Sequence, residues 1–130
     1  MPEVVTMTPP GSPAPIGPYS HIAMVGNWIT IGGVGGVDPK TGALAGDTVE
    51  AQTRQILQNF AHMLASVGSD LTHVVHVNVF LLHMSDFEAM NRVYAEVFGS
   101  HLPARTVFGV HELPKPGFRL TMNLNAVTRA

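Results

Sequence analysis

The stretch Thr72-His73-Val74-Val75-His76-Val77-Asn78-Val79-Phe80-Leu81-Leu82 decides the fold, because its residues alternate between two faces. Val75, Val77, Val79 and Leu81 form an apolar row, while His76 and Asn78 stand on the other side, the period of two expected of a half-buried central strand. Such a strand needs helices over its apolar face and a different cover over its polar one.

Both neighbours of this stretch read as helices. Downstream, Ser85 followed by Glu88 makes a capping box, and Phe87, Met90, Val93, Tyr94, Val97 and Phe98 recur at helical spacing until Gly99 closes the pattern. Upstream, Asp47 with Glu50 forms a similar start, and Ile56, Phe60, Met63, Leu64 and Val67 form a stripe that ends at Gly68. Further out, Arg105 to Val110 and Leu120 to Val127 read as two closing strands, and Tyr19 to Val25 and Trp28 to Gly32 as two opening ones. The Gly26-Asn27 pair between the opening strands fits a tight hairpin.

The order strand, strand, helix, strand, helix, strand, strand predicts an α+β fold: a mixed sheet with both helices on one face. By period two, Thr121, Asn123 and Asn125 join His76 and Asn78 on the bare face, which is too polar for a monomer core and suited to a subunit interface enclosing a wet pocket. Residues 1–18 hold Pro9, Pro10, Pro13, Pro15 and Pro18 and read as an extended arm, since prolines sustain neither a helix nor a central strand. The cluster Gly32, Gly33, Gly35 and Gly36 is not followed by a helix, so it reads as a kinked or bulged strand end and not as a phosphate loop. Asp38-Pro39-Lys40-Thr41-Gly42 is a turn by its chemistry.

At 130 residues the chain is expected to form one domain, 1–130, with one core. Charged residues make up 12% against 45% apolar, about half the usual charged share, which favours burial of part of the exterior against further copies of the chain. The chain has no cysteine, which suits a reducing compartment, and it shows neither a signal peptide nor an apolar run long enough to span a bilayer, so a cytoplasmic protein with no membrane partner is expected. The net charge is −2 and the basic residues are scattered, so nucleic acid is not expected as a partner. His73 and His76, three apart on a strand, fall on opposite faces and cannot share a metal, so neither a metal nor another cofactor is expected. His76 reads as a hydrogen-bonding interface residue or a lining residue of the cleft.

Six segments in order, Ile16-Gly17-Pro18-Tyr19-Ser20, Asp38-Pro39-Lys40-Thr41-Gly42, Gln52-Thr53-Arg54-Gln55, Asn91-Arg92-Val93-Tyr94-Ala95-Glu96, Pro103-Ala104-Arg105 and Leu113-Pro114-Lys115, resemble the successive signatures of the RidA/YjgF (reactive intermediate deaminase) family. The resemblance covers nearly the whole chain, from about Pro15 to Val127. It implies a chorismate-mutase-like fold, a homotrimer with three interface clefts, and hydrolysis of imines or enamines derived from amino acids. Carried over by position, it assigns Arg105 to the substrate carboxylate, Tyr19 and Asn91 to the pocket, and Gly33 and Val107 to backbone positions near the ligand. A guanidinium suits that task because it forks onto a carboxylate through two charge-assisted hydrogen bonds.

The chain departs from the family on its last strand, where the deaminases carry a glutamate that positions the attacking water. Asn123 takes that place, or Thr121 if the register shifts by two residues; neither is a carboxylate. No Asp or Glu follows Glu112, so this strand supplies no general base in either register. Two readings follow: an imine deaminase-like hydrolase in which Arg105 holds a small carboxylate and Asn123 orients water, or a non-catalytic trimer that binds keto acids. An endoribonuclease, a name also attached to the family, would want a basic groove that these few Lys and Arg residues do not make.

Overall fold

The computed structural model describes residues 3–130. Its elements are β1 (Val4–Met7), β2 (Ile22–Val25), β3 (Trp28–Gly35), α1 (Val49–Ser66), β4 (Val74–Leu81), α2 (Phe87–Phe98), β5 (Ala104–Gly109) and β6 (Leu120–Val127). They make one sheet in the order β1-β2-β3-β6-β4-β5. Every pairing is antiparallel except β4 with β5, which α2 joins as a crossover helix, the connection a parallel pair requires. The expected α+β architecture is therefore present.

The core lies between the sheet and α1. Ile56, Leu57, Phe60, Met63 and Leu64 of α1 are fully buried, as are Ile29, Ile31, Val77, Val79 and Met122 of the sheet. Each such side chain contributes about 1.5–3 kcal/mol when taken out of water. α1 packs on β3 and β6 and lies against α2, so both helices share one face, as the sequence predicts. On the other face Asn78 donates to Asn123 at 2.9 Å, His76 lies 3.2 Å from the Thr106 hydroxyl, and the Phe80 and Phe108 rings stack at 5.2 Å. Among the described residues no helix is long and apolar enough to cross a membrane.

Several local expectations need correction. Thr48, not Asp47, caps α1, because its hydroxyl reaches the Ala51 amide at 3.1 Å. Ser85 caps nothing: a 3-10 turn over Met84–Asp86 runs straight into α2, leaving Asp86 at its N-cap position in near-helical geometry and free to meet Arg119 at 3.2 Å. Val75 is not in the apolar row but 42% exposed, since a bulge between Val74 and His76 shifts the register and Val74 takes the buried place. His73 precedes the strand, in a 3-10 turn where its Nδ1 lies 2.8 Å from Asp70. The first residues of the arm are also more regular than expected. Val4–Met7 lies before Pro9 and pairs with β2 as an edge strand.

The hairpin at Gly26-Asn27 and the turn after β3 form as read. In the latter, the Asp38 carboxylate accepts from Lys40 N, the Asp38 carbonyl accepts from Gly42 N, both at 2.8 Å, and Gly42 takes the positive φ of 75° that the turn requires.

Candidate functional site

The proline-rich arm folds back onto the molecule and is pinned by two histidines. His62 Nε2 meets the Pro10 carbonyl at 2.7 Å and His21 Nε2 meets the Pro13 carbonyl at 2.7 Å. A carbonyl only accepts, so each Nε2 carries the hydrogen. In His21 this leaves Nδ1 bare, and that atom is buried without a partner. The His21 ring meets Tyr19 edge-on at 5.6 Å, and the Tyr19 hydroxyl accepts from Ile16 N at 3.1 Å, so the tyrosine braces its own loop.

Between this arm, the glycine-rich end of β3 and the start of β6 lies a cavity of about 620 Å³, lined by Tyr19, His21, Gly33, Val37, Phe118 and Thr121 among others. Among the described residues, Lys115 is the one formally charged residue on its wall, and no Asp or Glu lines it. The glycine cluster is the expected bulge: the β3–β6 register shifts between Ile31 and Val34, which lifts Gly32 and Gly33 out of the ladder. A Cβ on Gly33 would meet nothing within 4 Å, so that backbone faces open space. Gly36 is glycine for the opposite reason, since a Cβ there would stand 2.7 Å from the Cα of Gln52 on α1.

Arg105 occupies a different part of the molecule. On β5 it pairs with Val77, whose side chain is buried on the helix side, and it accordingly points towards α2. Its Nη1 donates to Asn91 Oδ1 at 2.8 Å, and its guanidinium carbon stands 4.8 Å from the Tyr94 ring centre and 5.8 Å from that of Phe87. Two aromatic faces and one amide thus hold the cation in place. Among the described residues no carboxylate forms an ion pair with it. The Tyr94 hydroxyl is buried without a partner, and burial pushes its phenol up to about 12, against the pull of the Arg105 charge. Val107 lies two residues along the same edge strand, whose outer backbone groups have no strand partner in the sheet.

The candidate residues therefore fall into two groups. Tyr19, Gly33 and Thr121 meet at the cavity. Arg105, Asn91 and Val107 gather at the β5 edge of the sheet, three strand spacings from β3, about 14 Å. Asn123 belongs to neither group: it faces away from the helices and its Oδ1 is taken by Asn78. Arg105 and Thr121 also lie on opposite sides of the sheet, because Thr121 neighbours the buried Leu120 and Met122 and must point the other way. One small ligand cannot touch both within a single chain. Among the described residues no three His, Asp or Glu side chains gather as a metal site would require.

Phe118, Gln52 and His21 shape the cavity, although their side chains give no periodic signal. Phe118 follows Gly117 in an irregular loop, Gln52 reads as one more polar helix residue, and His21 sits at the mouth of a strand. A buried polar residue such as Gln52, 0% exposed inside an amphipathic helix, is recognisable only once its partners are known.

Comparison with known proteins identifies the family and the fold. The chain is 45% identical over 104 residues to a RutC family protein of Pyrococcus horikoshii, covering 80% of this chain and 82% of the relative. It is 37% identical over 116 residues to the human 2-iminobutanoate/2-iminopropanoate deaminase, covering 89% and 84%. The crystal structure of the YjgF gene product of E. coli superposes with a TM-score of 0.89 at 34% identity, covering 96% of this chain and 99% of that one. With the endoribonuclease L-PSP family model matching residues 10–128, the chain belongs to that family, alongside the RidA and YjgF proteins.

Proposed function

We propose that the protein hydrolyses imines or enamines of small carboxylic acids, releasing ammonia, in clefts shared between the copies of a homotrimer. The observation that carries this reading is the separation of Arg105 from the cavity. Among the described residues, a braced guanidinium without a carboxylate partner stands at the β5 edge, and a cavity without an anion-binding fork stands at β3 and β6. Arg105 from one copy and the cavity of the next make one complete site.

In that site Arg105 forks onto the substrate carboxylate, with Asn91 fixing the guanidinium and the Val107 backbone close by. Tyr19 and the Gly33 backbone border the reacting carbon. Water adds to the carbon of the protonated C=N bond, bulk water relays a proton from the added oxygen to the nitrogen, and the C–N bond of the resulting carbinolamine breaks to release ammonium and leave a keto acid. The Thr121 hydroxyl orients the water; Asn123, the other candidate, has its amide oxygen engaged with Asn78. Neither group takes the proton, so the positive charge of the iminium and the instability of the substrate do most of the work. A missing base costs roughly 10² to 10⁴ in rate, which makes this a slow member of its kind.

The test is ammonia release from freshly generated 2-aminoacrylate by wild type, Thr121→Glu and Asn123→Glu at equal concentration. A gain in Thr121→Glu places the water at Thr121, and a gain in Asn123→Glu alone places it at Asn123. No activity above buffer in all three, with the oligomer intact, overturns the hydrolase. Light scattering tests the assembly: a stable monomer of about 14 kDa at micromolar concentration would leave the two half-sites apart.

One observation favours a second reading, a non-catalytic trimer that binds keto acids: no carboxylate lines the cavity. Calorimetric binding of a keto acid without ammonia release would select it.

A further inference from the structure

The Phe118 ring is 5% exposed and forms part of the cavity wall. Its placement is fixed from two directions. Gln52 on α1, with no exposed surface, donates through Nε2 to the carbonyls of Gly117 and Gly46, each at 2.9 Å, and accepts through Oε1 from Arg119 N at 2.8 Å. The residues on both sides of Phe118 are thus tied to one buried amide, itself seated against Gly36. The ring then lies over Gly35 so closely that a Cβ there would stand 2.6 Å from its Cε2 and Cζ atoms. Such an arrangement makes a rigid wall, because moving the ring means breaking buried hydrogen bonds or leaving a void.

The rest of the wall is mostly apolar, with Val34, Val37, Ile16 and Pro114 among its residues. A three-carbon imino or keto acid has only six non-hydrogen atoms, while 620 Å³ sits in the range of pockets that take far larger ligands. So short an acid fills only a small part of that space, which leaves apolar wall for a longer chain to cover.

We propose that Phe118, held by Gln52 and seated on Gly35, is a specificity-determining residue that selects acids whose imine or carbonyl carbon carries an apolar chain of about four carbons or an aromatic ring. This rests on the reading of the cavity as an imino-acid or keto-acid site and names the substrate class within it. Each methylene moved from water onto an apolar wall tightens binding by about fourfold at most, so an isobutyl or benzyl chain gains tenfold or more over a methyl group.

Keto acids, the stable products of imine hydrolysis, are the probes. Calorimetry on the assembled full-length protein compares pyruvate, 2-oxobutanoate, 4-methyl-2-oxopentanoate and phenylpyruvate. The expected result is a Kd that falls along the series, by at least tenfold from pyruvate to 4-methyl-2-oxopentanoate, and a ratio that shrinks at least threefold in Phe118→Leu. Gly35→Ala, which pushes on the ring, should shrink it too; where that variant fails to fold, Phe118→Leu alone decides. Equal affinities in wild type, or a ratio that Phe118→Leu leaves unchanged, overturns the selectivity while the keto-acid site stands. Binding of none of the four acids overturns the site itself, and the selectivity with it.

Discussion

On the proposed reading, the β5 edge of the sheet and its β3–β6 region supply complementary halves of a binding site. At the β5 end there is charge without room: Arg105 lies against Phe87 and Tyr94 with Asn91 on one nitrogen, and the helix behind it leaves only its outer edge available. At the β3–β6 end there is room without a fork: a cavity floored by glycine backbone and Phe118, with Lys115 as its one formal charge. Holding a guanidinium in one rotamer takes close packing, whereas admitting a ligand takes open space, and the two demands conflict at one spot in so small a core. Placing them on opposite faces lets each be built without compromise, and on the proposed reading assembly would bring them together.

That comparison is broken or upheld most sharply by mixing two defective chains. Arg105→Ala removes the fork, and Gly33→Trp puts a large ring at the cavity from a position where an added Cβ meets nothing within 4 Å. Loss of two charge-assisted hydrogen bonds costs about 3 kcal/mol, so Arg105→Ala alone should weaken carboxylate binding by over a hundredfold, and Gly33→Trp alone should abolish it. Arg105→Lys, which keeps a charge but no fork, should lose roughly tenfold. Refolded together in equal amounts, the two defective chains should regain about a quarter of the wild-type sites by calorimetry, since that share of shared clefts takes its cavity from one and its arginine from the other. No recovery, in mixtures shown to exchange subunits, would mean that each chain builds its site alone.

The two halves also differ in how far the sequence reveals them. Arg105 and Asn91 could be singled out because they sit in motifs of fixed spacing, and the structure brings them together at 2.8 Å. The alternation in Val77–Leu81 and the helical stripes likewise gave the sheet and its two helices, since burial imposes periods of two and 3.6. What stayed hidden depends on contacts between segments far apart in the chain. The bulge at Val75 arises from pairing with β6, and the hydrogen bond of Gln52 to Gly117 joins residues 65 positions apart. The caps were misplaced by one residue in each helix because several polar side chains near a start compete, and backbone geometry decides between them.

The cavity half should be the more fragile in stability. Gln52→Leu keeps the volume but strands two carbonyls and one amide in the interior, so a loss of about 3 kcal/mol is expected in urea unfolding. Variants of the arginine half such as Asn91→Ala should cost less than about 1 kcal/mol while weakening carboxylate binding severalfold, because that end spends its contacts on orientation. If Asn91→Ala proves as destabilising as Gln52→Leu, the division between a structural cavity and an orienting clamp does not hold.

The smallest expected effect concerns the shelf beneath Arg105. If the Tyr94 ring acts by its face, Tyr94→Leu should weaken carboxylate binding by about 1 kcal/mol, the size of a partly buried cation–π contact, and Tyr94→Phe should leave it unchanged. Stability offers a second measurement. The Tyr94 hydroxyl is buried with no partner, so Tyr94→Phe should unfold at the same temperature as wild type or slightly higher near pH 7. The folded phenol ionises only near 12, whereas the unfolded chain releases that proton near 10. Because the folded value is raised, the stability linked to this proton is whole below pH 10 and drains away as the pH climbs towards 12. The melting temperature of wild type should therefore fall further behind that of Tyr94→Phe between pH 10 and 11. A constant gap across that range would mean that the hydroxyl ionises as freely in the folded protein as in the unfolded chain, and that the shelf is open to water.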